Sequence, residues 1–245
     1  MIVPLLTFSQ KGCLDIQATE SYVDELINSP LRRVIALGST GEGLSQSHLT
    51  KCQLVNYLDT RLPDDFDIFV CPSTWAVEDF VQIVKSAKRV VKILYLPSAY
   101  LDRDDRHAPF LHEVAKATGD LPIYLYHLPK NTGVNFTPET LRNRFQDVNL
   151  TGLKLSHSTY QEASQYKDMG FEVLYGSDSS IHMALDAGCD AVVCQNLSPS
   201  FGRLSDSFSL SEVQEVCDAT RSFVKRSSLE KIHALKKLYI SETDK

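Results

Sequence analysis

Apolar and polar residues follow two rhythms along this chain. Eight short runs are almost continuously apolar and rich in β-branched residues: 2–7, 34–38, 67–71, 91–96, 122–127, 150–155, 171–176 and 190–194. A strand with one wet face would alternate strictly. Runs lacking that alternation suit strands covered on both faces, as in a parallel sheet. Between the runs, apolar residues recur at helical spacing. Tyr22, Val23, Leu26 and Ile27 form one stripe, stopped by Pro30. Val77, Phe80, Val81 and Val84 form a second, Phe110, Leu111 and Val114 a third, and Val213, Val216, Cys217 and Val224 a late one. Thr137-Pro138-Glu139 predicts a helix start, with threonine as the cap and proline in the first turn. Eight strand–helix units in 245 residues predict parallel strands joined by right-handed crossovers. Closed on themselves, they make an α/β fold of the (β/α)8 TIM-barrel type, placed over residues 1–225. An open doubly wound sheet is the structural alternative. In residues 226–245, Leu229, Ile232, Leu235, Leu238 and Tyr239 predict a short C-terminal helix docked on the barrel.

Composition narrows the function without naming it. The chain is 43% hydrophobic and 23% charged, an ordinary globular balance. Its net charge of −6 argues against nucleic acid or an anionic membrane as the main partner. No apolar run approaches a membrane span, and the first residues lack the basic start of a signal peptide. The six cysteines are scattered with no C-x-x-C pair, and the seven histidines form no ligand-spaced pair. The expectation is a cytoplasmic protein with reduced thiols and no metal or organic cofactor.

A charge near the end of the sixth run looks out of place. Lys154 lies near the end of the sixth run, "LTGLKL", where burying an unpaired charge is costly. A lysine at a strand end can snorkel to solvent. A strand covered on both faces offers no wet face, however, and desolvation favours a neutral amine that can attack a ketone. Barrel enzymes carry their chemistry at the C-terminal ends of strands. The other run ends are "GSTGEG", whose glycines and hydroxyls suit an anion, "YHLPKNTG" with Tyr126, and "GSDSS" with Gly176 and Asp178. Each alone is weak: a glycine-rich turn is usually only a turn, a tyrosine is usually core, and Asp178 can equally cap a helix.

Together, "GSTGE" (38–42), "YLYHLPKNTG" (124–133), "TGLKLS" (151–156) and "YGSDSSIHMALDAGCDAVV" (175–193) carry a resemblance in both order and spacing. The chain resembles the class I pyruvate aldolases of the dihydrodipicolinate synthase and N-acetylneuraminate lyase superfamily, and in pattern the 2-keto-3-deoxygluconate aldolases. The resemblance implies a lyase that needs no cofactor. Lys154 would form an imine with pyruvate, Tyr126 would relay protons, and Ser39 and Thr40 would hold the pyruvate carboxylate. Val193 would lie beside that pocket. Ser156, Gly176 and Asp178 would meet substrate hydroxyls, and Arg103 the far end of a sugar acid. Small-molecule partners follow, pyruvate with an aldehyde or a 2-keto-3-deoxy acid, in a homodimer or homotetramer.

Two departures qualify the resemblance. Dihydrodipicolinate synthases generally carry an arginine two residues after the proline of the tyrosine motif. Here that place holds Asn131, with Lys130 beside it. A synthase using Lys130 is the alternative activity. The second relay tyrosine of the family falls on Ala99, with Tyr100 next to it. A keto-acid-binding relative without turnover is the alternative of another class.

Overall fold

The structure is a computed structural model that describes residues 1–102, 105–119, 121–156, 158–227 and 230–243. Eight parallel strands form one sheet in chain order: β1 (Val3–Pro4), β2 (Arg33–Ala36), β3 (Asp67–Val70), β4 (Lys92–Tyr95), β5 (Ile123–His127), β6 (Leu150–Leu155), β7 (Glu172–Tyr175) and β8 (Ala191–Val192). Ile2 pairs with Val193, which closes the sheet into a barrel. At that seam Ile2 N–H donates to Val192 O, and Cys194 N–H to Ile2 O, both at 2.9 Å. The predicted (β/α)8 architecture is therefore the observed one, and the open sheet is excluded.

β1 is shorter than the apolar run that marks it. Pro4 has no N–H to give the β8 side of the ladder, while on the β2 side Leu5 N–H still donates to Ile35 O at 2.8 Å. A hairpin, Ser9–Gln10 against Cys13–Leu14, follows β1 and was not legible as strands. Its turn residues Lys11 and Gly12 both have positive φ, at 52° and 77°.

Strand parity sorts the core into two regions. Ile2, Ile35, Phe69, Leu94, Tyr124 and Leu174 point inward and fill the barrel. Val34, Ala36, Leu153 and Leu155 point outward into the larger core between sheet and helices. Because side chains alternate along a strand, Leu153 and Leu155 facing outward leave Lys154 facing inward.

The helices begin where the sequence offers side-chain caps. Asp15 accepts from Ala18 N–H before helix Ile16–Asn28. Thr159 and Glu162 form a capping box before helix Tyr160–Asp168, and Thr137 caps helix Pro138–Arg144 as predicted. After β8 come helix Leu210–Arg226 and a terminal helix, Lys231–Thr243. The terminal helix buries Ala234, Leu235 and Tyr239. Tyr239 packs edge-on against Tyr22 with centroids 5.0 Å apart, a contact worth about 1 kcal/mol beyond its buried area. Lys236 on the same helix pairs with Glu42 at the barrel mouth. Leu229, expected at the start of this stripe, lies outside the described residues. Among the described residues no helix is long and apolar enough to cross a membrane.

Candidate active site

The turn after β2 is shaped by close backbone approach. Leu37 has φ 62°, an unfavourable value for a bulky residue. Its carbonyl accepts from Ser73 Oγ at 3.0 Å. Gly43 comes so near that a Cβ there would lie 1.8 Å from Leu37 O, so only glycine fits. The turn sets Ser39 and Thr40 into the barrel mouth. Ser39 Oγ lies 3.0 Å from Tyr126 Oη. Thr40 is buried, and its hydroxyl oxygen accepts from Gln195 Nε2 at 3.0 Å.

β5 and β6 place Tyr126 and Lys154 as direct neighbours in register. Lys154 is buried, with Nζ 3.7 Å from the centroid of the Tyr126 ring. Burial alone would push the Tyr126 phenol up. The Lys154 charge, the Lys154 contact and the Ser39 hydrogen bond outweigh it, and the phenol sits below the ordinary tyrosine range. An adjacent cation and a hydroxyl donor both favour the phenolate.

These groups open onto a cavity of about 730 Å³ at the C-terminal ends of the strands. Ser156, Gly176 and Val193 line it. A Cβ on Gly176 would lie 2.3 Å from Ser156 Oγ, so the glycine leaves that hydroxyl its place. Asp178 also lines the wall, but its carboxylate is engaged. One oxygen accepts from Asn196 N–H at 2.7 Å, and the other from Asn196 Nδ2 and Arg221, each at 2.8 Å. It does not cap the following helix, whose N-cap is Ser180. Lys130 and Asn131 reach the same cavity. Arg103 lies outside the described residues. Ala99 is exposed at the start of a short helix, and Tyr100 beside it is 78% exposed. His127 faces away from the cavity and meets Asn135 Oδ1 at 2.8 Å.

The sequence reading missed the wall built by the last helices. Arg221, Lys225 and Lys231 all line the cavity, as does Gln195. Gln195 stands just past the eighth strand, the position that barrel logic marks for function. The cations carry no such signal, since helical lysines are normally solvated. Lys231 is exposed at the rim, and its Nζ donates to Gln195 Oε1. Desolvation holds its ammonium below the usual lysine value; Arg221 acts the same way, and Asp178 and Tyr126 oppose.

Comparison with known proteins identifies the family and agrees with the barrel fold. Residues 1–203 match the model of the dihydrodipicolinate synthetase family. The chain is 24% identical over 198 residues to a 4-hydroxy-tetrahydrodipicolinate synthase from Oceanobacillus iheyensis, covering 79% of this chain and 66% of that protein. It is 28% identical over 197 residues to N-acetylneuraminate lyase from Sus scrofa, covering 76% of this chain and 62% of the lyase. Among solved structures, a catalytic lysine mutant of the sialic acid aldolase from Ruminococcus gnavus superposes with a TM-score of 0.82 at 13% identity, over 99% of this chain and 85% of that one. The chain thus spans a little under two thirds of the length of these two curated relatives. The match over the barrel, with the lysine, tyrosine and hydroxyl pair converging at one mouth, makes this chain a member of the dihydrodipicolinate synthetase family.

Proposed function

We propose that this protein is a Schiff-base-forming pyruvate aldolase acting on 2-keto-3-deoxy sugar acids such as 2-keto-3-deoxygluconate. The observation that carries the reading is the inward-facing Lys154 beside Tyr126 and Ser39 at the barrel mouth. The unprotonated Lys154 amine attacks the C2 carbonyl of the 2-keto acid, and loss of water with a proton taken from the Tyr126 phenol gives a protonated imine and leaves the phenolate. The C4 hydroxyl then gives its proton to the Tyr126 phenolate. The C3–C4 bond breaks, its electron pair moves into the imine, and an aldehyde leaves. Tyr126 returns the proton to C3, and water then releases pyruvate from Lys154, with the proton of the imine going back to the Tyr126 phenolate. A phenol drawn below its ordinary range suits this shuttle. Ser39 and Thr40 orient the carboxylate. Val193 lies beside that carboxylate pocket in this reading, and Ser156 and Gly176 shape the acceptor end. Arg103 is assigned to the far end of the sugar acid on resemblance alone. Asp178 serves through Arg221 and Asn196, holding the wall that the substrate hydroxyls meet.

A second reading is a dihydrodipicolinate synthase, favoured by Lys130 in the cavity wall. Its ammonium would take the carboxylate of aspartate semialdehyde, without the planar fork of arginine. Assembly as a homodimer or homotetramer belongs to this reading through the family resemblance, and the scattered thiols without a C-x-x-C pair support a cytoplasmic location. Reduction with borohydride in the presence of pyruvate tests the reading. Mass spectrometry is expected to find the adduct on Lys154, and an unmodified protein overturns the proposal. Turnover of sugar acids against turnover of pyruvate with aspartate semialdehyde separates the two substrates. An adduct with no turnover of either identifies a binding protein.

A further inference from the structure

The terminal helix reaches the hydroxyl pair through a directed hydrogen-bond chain. Lys231 Nζ donates to Gln195 Oε1, and Gln195 Nε2 donates to Thr40 Oγ1 at 3.0 Å. Chemistry fixes the direction of this chain. An ammonium only donates, so the amide oxygen of Gln195 must face Lys231 and the NH2 must face Thr40. The Thr40 oxygen is then an acceptor, and its own O–H is left to donate elsewhere. Thr40 is buried and lines the cavity, so that proton is available to a group bound there.

We infer that Lys231 is a positioning residue for ketoacid binding: by orienting the Gln195 amide it keeps the Thr40 hydroxyl donating into the cavity, toward the substrate carboxylate. The inference rests on the proposed role of Thr40 as a carboxylate anchor. Without Lys231 the amide is free to rotate by half a turn. Its oxygen then takes the Thr40 proton, and the carboxylate loses a donor. Lys231 sits on the rim rather than in the packed core, so its side chain can be changed without opening a hole. Nothing in the apolar stripe of the terminal helix requires this lysine; Ala234, Leu235 and Tyr239 do the docking.

The test measures the pyruvate concentration that half-saturates borohydride trapping, together with KM and kcat for aldol cleavage, in four variants of the full chain. Lys231→Met is expected to raise the half-saturating concentration about tenfold, equivalent to about 1.4 kcal/mol, with kcat within about twofold; Gln195→Leu, which removes the competing amide oxygen together with the donor, is expected to raise it by no more than about threefold. The double variant is expected to match Gln195→Leu, because without the amide the lysine has nothing to orient. Lys231→Arg, still a pure donor, is expected to stay near wild type. An unchanged value in Lys231→Met overturns the inference. So does a double variant as weak as Lys231→Met, which would mean that the charge acts through space without the amide. Failure of the unaltered protein to be trapped at any pyruvate concentration would instead remove the aldolase reading, and this inference with it.

Discussion

Two lysines are almost equally buried in this molecule, Lys51 at 5% exposure and Lys154 at 6%, and they stand in opposite situations. Lys51 belongs to helix His48–Arg61, outside the barrel. Its ammonium donates to Pro72 O at 2.9 Å and Ser73 O at 3.0 Å. Those carbonyls lie just past β3, and Ser73 there has φ 50° and donates to the equally left-handed Leu37. Lys51 therefore braces the turn that carries Ser39 and Thr40. Lys154, inside the barrel, meets an aromatic face and opens onto a cavity. One lysine spends its donors on the protein; the other presents its nitrogen to the cavity. Burial by itself marks neither as catalytic. What the amine faces is decisive.

The largest effect expected from this contrast is at Lys154. Lys154→Ala should abolish borohydride trapping and lower turnover by roughly 10⁵-fold, while Lys51→Met should remain trappable. Trapping that followed Lys51 would reverse the two roles. Next comes Tyr126→Phe, which keeps the ring beneath Lys154 and loses the oxygen that meets Ser39. Its kcat for cleavage should fall by about 10²- to 10⁴-fold with the fold intact. Little change would show that the phenol is packing only. Lys51→Met should instead cost stability, about 2 kcal/mol by urea denaturation, because two carbonyls lose their donor.

The smallest effect concerns a third buried basic group. His107 is 1% exposed, its Nδ1 lies 2.6 Å from Tyr95 Oη, and desolvation lowers its pKa from 6.5 to about 4. Below pH 6.5 the unfolded chain binds a proton that the folded one refuses. Stability is then present in full above that pH and falls as the pH drops toward 4. The loss from pH 7 to 5 should be on the order of 1 kcal/mol, and His107→Leu should flatten that part of the profile. An unchanged slope would mean that other groups set it.

The barrel was legible because its signal is redundant: eight apolar runs without strict alternation leave few other architectures. Lys154 was legible as a charge near the C-terminal end of a run that has no wet face, whereas Asp67, Lys92, Glu172 and Asp190 stand at the starts of theirs. The hairpin after β1 was not, because its turn is Lys11-Gly12, and lysine is not among the residues that favour positive φ. Asp178 shows a second limit. A carboxylate beside a cavity reads as a ligand contact until Arg221 and Asn196 are seen to occupy it, and both lie further along the chain. Lys231 and Gln195 met for a similar reason only in three dimensions. Nothing local distinguishes a lysine that orients an amide from one that only faces water.

The seam between Ile2 and Val193 has a consequence for how the molecule is made. Its two halves lie at opposite ends of the barrel sequence, so a growing chain holds an open sheet until the eighth run has emerged. During that interval β1 and β7 both present unpaired edges, the condition under which sheets join to neighbours. The seam is also the longest loop to close and has the shortest ladders to hold it. The amides of Ile2 and Cys194 should therefore gain protection after those of β5 and β6 during refolding.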